Sequence, residues 1–269
     1  MFTLSMLISH TLADFVIQTG NTVKAKADMK LKGYLLHGAA LLLTSLPFLL
    51  LLSLSSLSTV VLKVVVIIAA HLVIDIVKQK LQNILQTKTA PKISNLLLFV
   101  SDQVLHIMII LLVTGGTVIE YNNLGGGFIS VNNADNGISY ENLKKIFLVL
   151  YISFSGAYFI PLMLDKVYEK VDNYTHILNE ILKVGENPIV HGFIDEVKAG
   201  KWIGILERIL IVIFLYSGQF ASIGFIIAVK SLARFKMLEN KIFSEYYLMG
   251  TLISVVYTFI AYGVLDKLL

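Results

Sequence analysis

Long runs of leucine, isoleucine and valine, broken by short connections rich in lysine or in glycine and asparagine, set the pattern of this chain. A membrane-crossing helix needs roughly 17–25 mostly apolar residues at about 1.5 Å each. Eight stretches qualify: 1–18, 33–54, 60–77, 95–114, 145–164, 202–217, 219–234 and 246–265. The first, sixth and seventh are short, and one of them suits a re-entrant segment. The runs are continuous rather than alternating, which argues against the strands of a membrane barrel. The pattern predicts an all-α fold, a polytopic membrane helix bundle of about eight transmembrane helices.

The connections give an orientation, because lysine and arginine concentrate on the cytoplasmic side. The first holds Lys24, Lys26, Lys30 and Lys32 against Asp28 alone, and the third holds Lys78, Lys80, Lys88 and Lys92 with no acid. Both read as cytoplasmic. The fourth, roughly 115–142, carries Glu120, Asp135 and Glu141 with no base and reads as external. Segment 165–201 is amphipathic and mixed in charge; together with Lys236 and Lys241 it reads as cytoplasmic. Eight spans with both termini outside satisfy every loop. The chain then divides into a four-span domain at 1–115, an external loop at 116–143 and a C-terminal membrane half at 144–269.

Composition narrows the class. The 269 residues are 56% hydrophobic and only 15% charged, with a mean hydropathy of +0.78. A soluble domain carries about 25% charged residues, so a soluble enzyme is excluded, and so is a disordered chain. The absence of cysteine removes disulfides, thiolate metal sites, iron–sulfur clusters and cysteine nucleophiles together. A net charge of +4 does not call for nucleic acid, since cytoplasmic loops alone supply a lysine surplus. Met1-Phe2-Thr3 offers no basic n-region and no A-x-A-like site follows, so a cleaved signal peptide is not expected.

The chemistry lies in the polar residues inside the spans, which are costly in hydrocarbon and each mark a functional hypothesis. Four of the six histidines, His10, His37, His71 and His106, fall in the first four spans. Three have an aspartate four residues away: His10/Asp14, His71/Asp75 and Asp102/His106. On a helix, i and i+4 share a face. Spans one and three run inward and read His then Asp, whereas span four runs outward and reads Asp then His. All three histidines therefore lie deeper and all three aspartates nearer the cytoplasm, with His37 at the aspartates' depth.

Seven ligand-type groups in one layer point to a metal centre. Imidazole and carboxylate suit zinc first, then manganese, iron or nickel. Gln18, Gln79 and Gln103 are natural partners for the ligands. A proton relay and a purely structural polar network are the competing readings. A faint parallel repeat, His10-x3-Asp14-x-Val16-x-Gln18 against His71-x3-Asp75-x-Val77-x-Gln79, accompanies the pairs. His191/Asp195 repeats the spacing outside this layer and reads as coincidence; His176 has no informative context. In the second half, Glu207, Arg208, Lys230 and Arg234 lie toward the cytoplasmic face with Glu245. Lys230 and Arg234, at i and i+4, suit a phosphate or lipid headgroup. The bland alternative is snorkelling with Glu–Arg or Glu–Lys pairing between helices.

The start, His10-Thr-Leu-Ala-Asp14-Phe15-Val-Ile-Gln18, with His37 and the later His71-x3-Asp75-x2-Lys78, resembles an uncharacterised bacterial membrane family known as domain of unknown function 3307. The resemblance covers about the first 110–120 residues. The stretches Gly200-Lys-Trp-Ile-Gly-Ile-Leu-Glu207-Arg208, Ala228-x-Lys230-Ser231-x2-Arg234-Phe235 and Glu245-Tyr246-Tyr-x2-Gly250-Thr251 look like a C-terminal region that many such proteins carry. A weaker likeness, to inner-membrane metal-dependent hydrolases with histidine and aspartate on their helices, works only by analogy.

Three functions compete on this reading. The first is a multi-pass bacterial inner-membrane hydrolase of an amphiphilic or lipid-linked substrate, its metal site open to the cytoplasmic leaflet. Asp14 or Asp102 would be its general base, with Lys230, Arg234, Glu207 and Arg208 around the substrate. The second is a metal-ion or proton-coupled transporter. The third is a non-catalytic sensor or scaffold that docks a cytoplasmic partner through 165–201. The expected partners are the lipid bilayer and a lipid or phosphate-containing substrate, with no nucleic acid; a homo-oligomer is compatible.

Overall fold

In hydrocarbon every backbone N–H and C=O must be satisfied within its own segment, which leaves the helix as the solution for apolar runs of this length. The computed structural model describes residues 1–49, 57–85, 95–115, 140–168, 189–239 and 241–269, and among these the regular elements are helical. Nine α-helices occur among the described residues: α1 (Phe2–Thr11), α2 (Gly20–Ala27), α3 (Leu31–Leu49), α4 (Leu57–Leu85), α5 (Asn95–Thr114), α6 (Tyr140–Tyr168), α7 (Ile189–Tyr216), α8 (Phe220–Ala233) and α9 (Lys241–Leu268). Among the described residues, four helical stretches are long and apolar enough to cross a membrane: Ser58–Leu85, Asn95–Thr114, Tyr140–Val167 and Ser244–Leu268. Phe2–Ile17 and Phe220–Ala233 are apolar but shorter. The fold is therefore all-α and multi-span.

Several helices depart from the expected limits. Helix α4 runs on through Lys78 and Lys80, and α7 begins at Ile189, well inside the stretch read as a connection. Most of the external loop and residues 169–188 of the amphipathic segment lie outside the described residues. The lysine-rich stretch after span one is also no plain loop, because α2 forms there. Thr19 caps α2 by accepting from the Thr22 amide at 3.3 Å. Its end is a Schellman motif, with Lys30 N donating to Ala25 O and Met29 N to Lys26 O, both at 2.9 Å. Met29 takes the left-handed position, φ 55°, that glycine usually fills. Its sulfur accepts from the Tyr34 hydroxyl at 3.3 Å, which ties the turn to α3.

The chain divides into two compact units, residues 1–150 and 151–269, with the boundary inside α6. In the first, α1 packs on α3 and α5, and α4 packs on α3 and α5. The polarity of this group is inside out. His10, His37, His71 and His106 are at most 2% exposed, while Leu62, Val73, Leu97 and Leu112 stand 58–72% exposed. Apolar side chains facing outward around a buried polar layer are what a lipid solvent requires. In the second unit, α7 packs on α8 and α9.

Candidate metal centre

His10 comes from the last turn of α1 and Asp14 from the π-helical turn Leu12–Ile17 that follows it. His37 comes from α3, His71 and Asp75 from α4, and Asp102 and His106 from α5. A π turn widens the helix by one residue and recurs at functional sites. Here it ends as Gln18 turns to an extended backbone, φ −61° and ψ 113°.

The seven side chains form one cluster. His37 Nε2 lies 2.8 Å from His71 Nε2. Asp14 Oδ1 stands 3.3 Å from each of those nitrogens. Asp75 Oδ2 is 3.4 Å from His37 Nε2 and 3.8 Å from His71 Nε2. Four-coordinate zinc, with bonds of about 2.0–2.1 Å, spaces its ligand atoms about 3.3 Å apart. Three of the distances, Asp14 Oδ1 to both Nε2 atoms and Asp75 Oδ2 to His37 Nε2, match that spacing, while 2.8 and 3.8 Å lie about half an ångström to either side. Three overlapping triads could each hold a metal ion: His10, Asp14 and His71; His37, His71 and Asp75; and Asp75, Asp102 and His106.

The i, i+4 pairs close as expected, His10 Nδ1 to Asp14 Oδ2 at 3.7 Å and His106 Nδ1 to Asp102 Oδ1 at 3.6 Å. Neither distance is a hydrogen bond. Both nitrogens of His10, Asp14 Oδ1, His37 Nδ1, Asp102 Oδ1 and His106 Nδ1 are buried without a hydrogen-bond partner among the described residues. Each such atom costs about 1–3 kcal/mol. Their concentration in one cluster marks a place that expects an ion or water rather than a finished structural network.

Two lysines that sequence reasoning placed in connections belong here. Lys26 Nζ, on α2, donates to Asp75 Oδ2 at 2.7 Å, and Lys78 Nζ, on α4, donates to Asp102 Oδ2 at 2.8 Å. Lys78 stands three residues after Asp75, a spacing that could have announced it. Lys26 had no such signal. It arrives because Gly33 lets α2 lie against α3: a Cβ at Gly33 would stand 2.7 Å from Lys26 N. With neutral imidazoles, three carboxylates face two ammonium groups. The carboxylate with no lysine is Asp14, the one between the two Nε2 atoms.

The glutamines divide. Gln18, with its amide turned to suit its neighbours, donates to Asp14 O at 3.1 Å and accepts from Lys26 Nζ at 2.7 Å. Gln103 Nε2 donates to Asp102 Oδ2 at 3.3 Å. Gln79 departs from expectation and donates to Asn83 Oδ1 at 3.0 Å on its own helix. The chain breaks at Gln18 and folds it back, whereas α4 continues straight and carries Gln79 about 6 Å beyond Asp75.

In the second unit, Lys230 Nζ donates to Glu207 Oε2 at 2.6 Å. Arg208 is buried, donating through Nε and Nη2 to Ser153 O at 3.0 and 2.8 Å, and through Nη1 to Ser254 Oγ at 3.4 Å. All three residues and Arg234 line one cavity. His176 lies outside the described residues, as do the side chains of His191 and Asp195.

Fold and site together define a multi-span membrane protein with a buried His/Asp cluster that could hold a metal. Residues 2–133 match the family described as Protein of unknown function (DUF3307), and this N-terminal part of the chain belongs to that family. The match takes in all seven cluster residues and both lysines. No curated protein and no solved structure matches the chain. The likeness to metal-dependent hydrolases finds no relative behind it and remains analogy.

Proposed function

We propose that the N-terminal unit holds one divalent transition metal, zinc by the character of its donors, and uses it to hydrolyse an amphiphilic or lipid-linked substrate. In this reading the chain crosses a bacterial inner membrane eight times and opens the site to the cytoplasmic leaflet. The observation that carries the metal is that His37 Nε2 and His71 Nε2 lie 2.8 Å apart with Asp14 Oδ1 and Asp75 Oδ2 each 3.3–3.8 Å from both. Asp14, which unlike Asp75 and Asp102 has no lysine partner among the described residues, supports it. Manganese, iron and nickel accept the same donors.

Zinc, when bound, supplies an activated water near neutral pH and polarises the bond under attack. The rest is the chain's own work. Lys26 holds Asp75 in place and offsets its charge. His10 stands 3.7 Å from Asp14 Oδ2 on the same helical face. Asp102 lies outside the four-atom group, gripped by Lys78 and facing His106, and in that position can take a proton from the nucleophile. Asp14 is then a ligand, and Asp102 the base.

A second reading, cation transport, has one observation behind it. The first and second triads share His71 and the second and third share Asp75, so an ion has adjacent stations along the cluster. Elemental analysis of purified protein should find about one zinc per chain, lost in His71→Ala while helicity persists. Asp102→Asn should keep the zinc and abolish turnover of a membrane lipid extract followed by mass spectrometry. Zinc flux into proteoliposomes without lipid turnover would favour the transporter instead. Active protein that contains no metal would end both readings.

A further inference from the structure

The second unit contains a cavity of about 500 Å³ between α6, α7, α8 and α9, separate in its residues from the histidine cluster. Its charge is one-sided. Lys201, Arg208, Lys230 and Arg234 line it against a single carboxylate, Glu207. Lys230 takes that carboxylate at 2.6 Å. Arg208 is 2% exposed and has no carboxylate within salt-bridge reach among the described residues. A guanidinium has five N–H donors, and three bonds, to Ser153 and Ser254, account for three of them. Two remain.

A charged guanidinium buried among apolar helices is costly unless an anion meets it. This one is also seated by design. A Cβ at Gly156 would stand 2.7 Å from Arg208 Nε and 2.9 Å from its Cδ, so only glycine leaves room for the side chain. The fold thus spends a glycine to hold an unneutralised arginine at the wall of a cavity, with Arg234 and Lys201 on the same cavity.

We infer that this cavity binds a phosphate-bearing anion, with Arg208 as the buried anchor and Arg234 and Lys201 completing the charge. Phosphate oxygens match the planar fork of arginine, and several can be engaged at once. Lys230 is not part of the anchor, because Glu207 occupies it. Glu207 instead sets the strength of the site by withholding one cation. The group arrives as a lipid headgroup or as free phosphate. The walls include Ile160 and Ile203, which leave an acyl chain an apolar path.

The test uses full-length, delipidated protein and native mass spectrometry with three probes: phosphatidic acid, diacylglycerol and inorganic phosphate. One phosphatidic acid per chain should be retained at least tenfold better than diacylglycerol. Arg234→Gln should lower that retention about tenfold, and Glu207→Gln should raise it several-fold by releasing Lys230. Arg208→Lys should weaken it too; Arg234→Gln, at a half-buried residue outside the Lys230–Glu207 pair, keeps the test independent of a buried change. Competition by inorganic phosphate assigns the site to the bare anion; binding of phosphatidic acid without such competition assigns it to a headgroup. Equal retention of phosphatidic acid and diacylglycerol, or no response to Arg234→Gln and Glu207→Gln, would overturn the inference. Loss of zinc from the N-terminal unit would not affect the result, so the two proposals fail separately.

Discussion

Lys26 shows how much one side chain decides. Its ammonium sits 2.7 Å from Asp75 Oδ2, and the pair is nearly sheltered from solvent, at 14% and 7% exposure. Removing one partner of such a pair leaves an uncompensated charge, costing about 3–5 kcal/mol. Lys26→Gln should therefore lower the unfolding midpoint in detergent, and adding Asp75→Asn should recover most of the loss. The same variant frees Asp75 Oδ2 for a cation. Zinc should then raise the midpoint of Lys26→Gln by more than it raises that of the wild type. An equal shift in both proteins would remove Asp75 from the ligand set.

At the level of elements, the short helix α2 brings that lysine in. Two features hold it: the Schellman end with Met29 against Tyr34, and the close approach at Gly33. A Cβ there would stand 2.7 Å from Lys26 N and 2.8 Å from Ala25 C, and both are backbone atoms that cannot swing aside. Gly33→Ala should push α2 off α3 at a cost of about 1–3 kcal/mol. It should also reproduce the larger zinc response of Lys26→Gln without touching a charged residue. A thermal shift in detergent, with and without zinc, reads both effects. The π turn works at the same scale. It lets Asp14 meet His37 and His71 while the chain escapes sideways into α2.

Across the whole molecule, the question is how many helices cross. Among the described residues four are long and apolar enough by themselves, and eight crossings require α1 with its π turn, α3, α7 and α8 as well. Cysteine labelling is clean in a chain that has no cysteine of its own. Lys24, exposed on α2, is a better reporter than the half-buried, ion-paired Lys26. Lys24→Cys should label from the cytoplasmic side and Asn133→Cys, which lies outside the described residues, from the external side. Labelling of both from one face would break the four-span count of the first half and the depth argument with it.

The linear pattern of apolar runs determined that the chain is helical and lives in a membrane, because only helices and closed barrels satisfy the backbone there and continuous runs lack a barrel's alternation. It also determined the seven His and Asp candidates. Groups so costly in hydrocarbon must find one another, and their i, i+4 spacing leaves few ways to do so. Only the tertiary structure decided the partners that come from far along the chain. Lys26 reaches Asp75 over 49 residues and Lys78 reaches Asp102 over 24, so neither pair is visible in a local window. Gln79 kept the same spacing as Gln18 and still turned away, because a continuing helix offers it Asn83 while a broken one does not. Arg208, grouped in sequence with Glu207, Lys230 and Arg234, meets Ser153 and Ser254, while its neighbour Glu207 meets Lys230. Neighbours one residue apart on a helix point about 100° apart, and packing alone chooses what each of them meets.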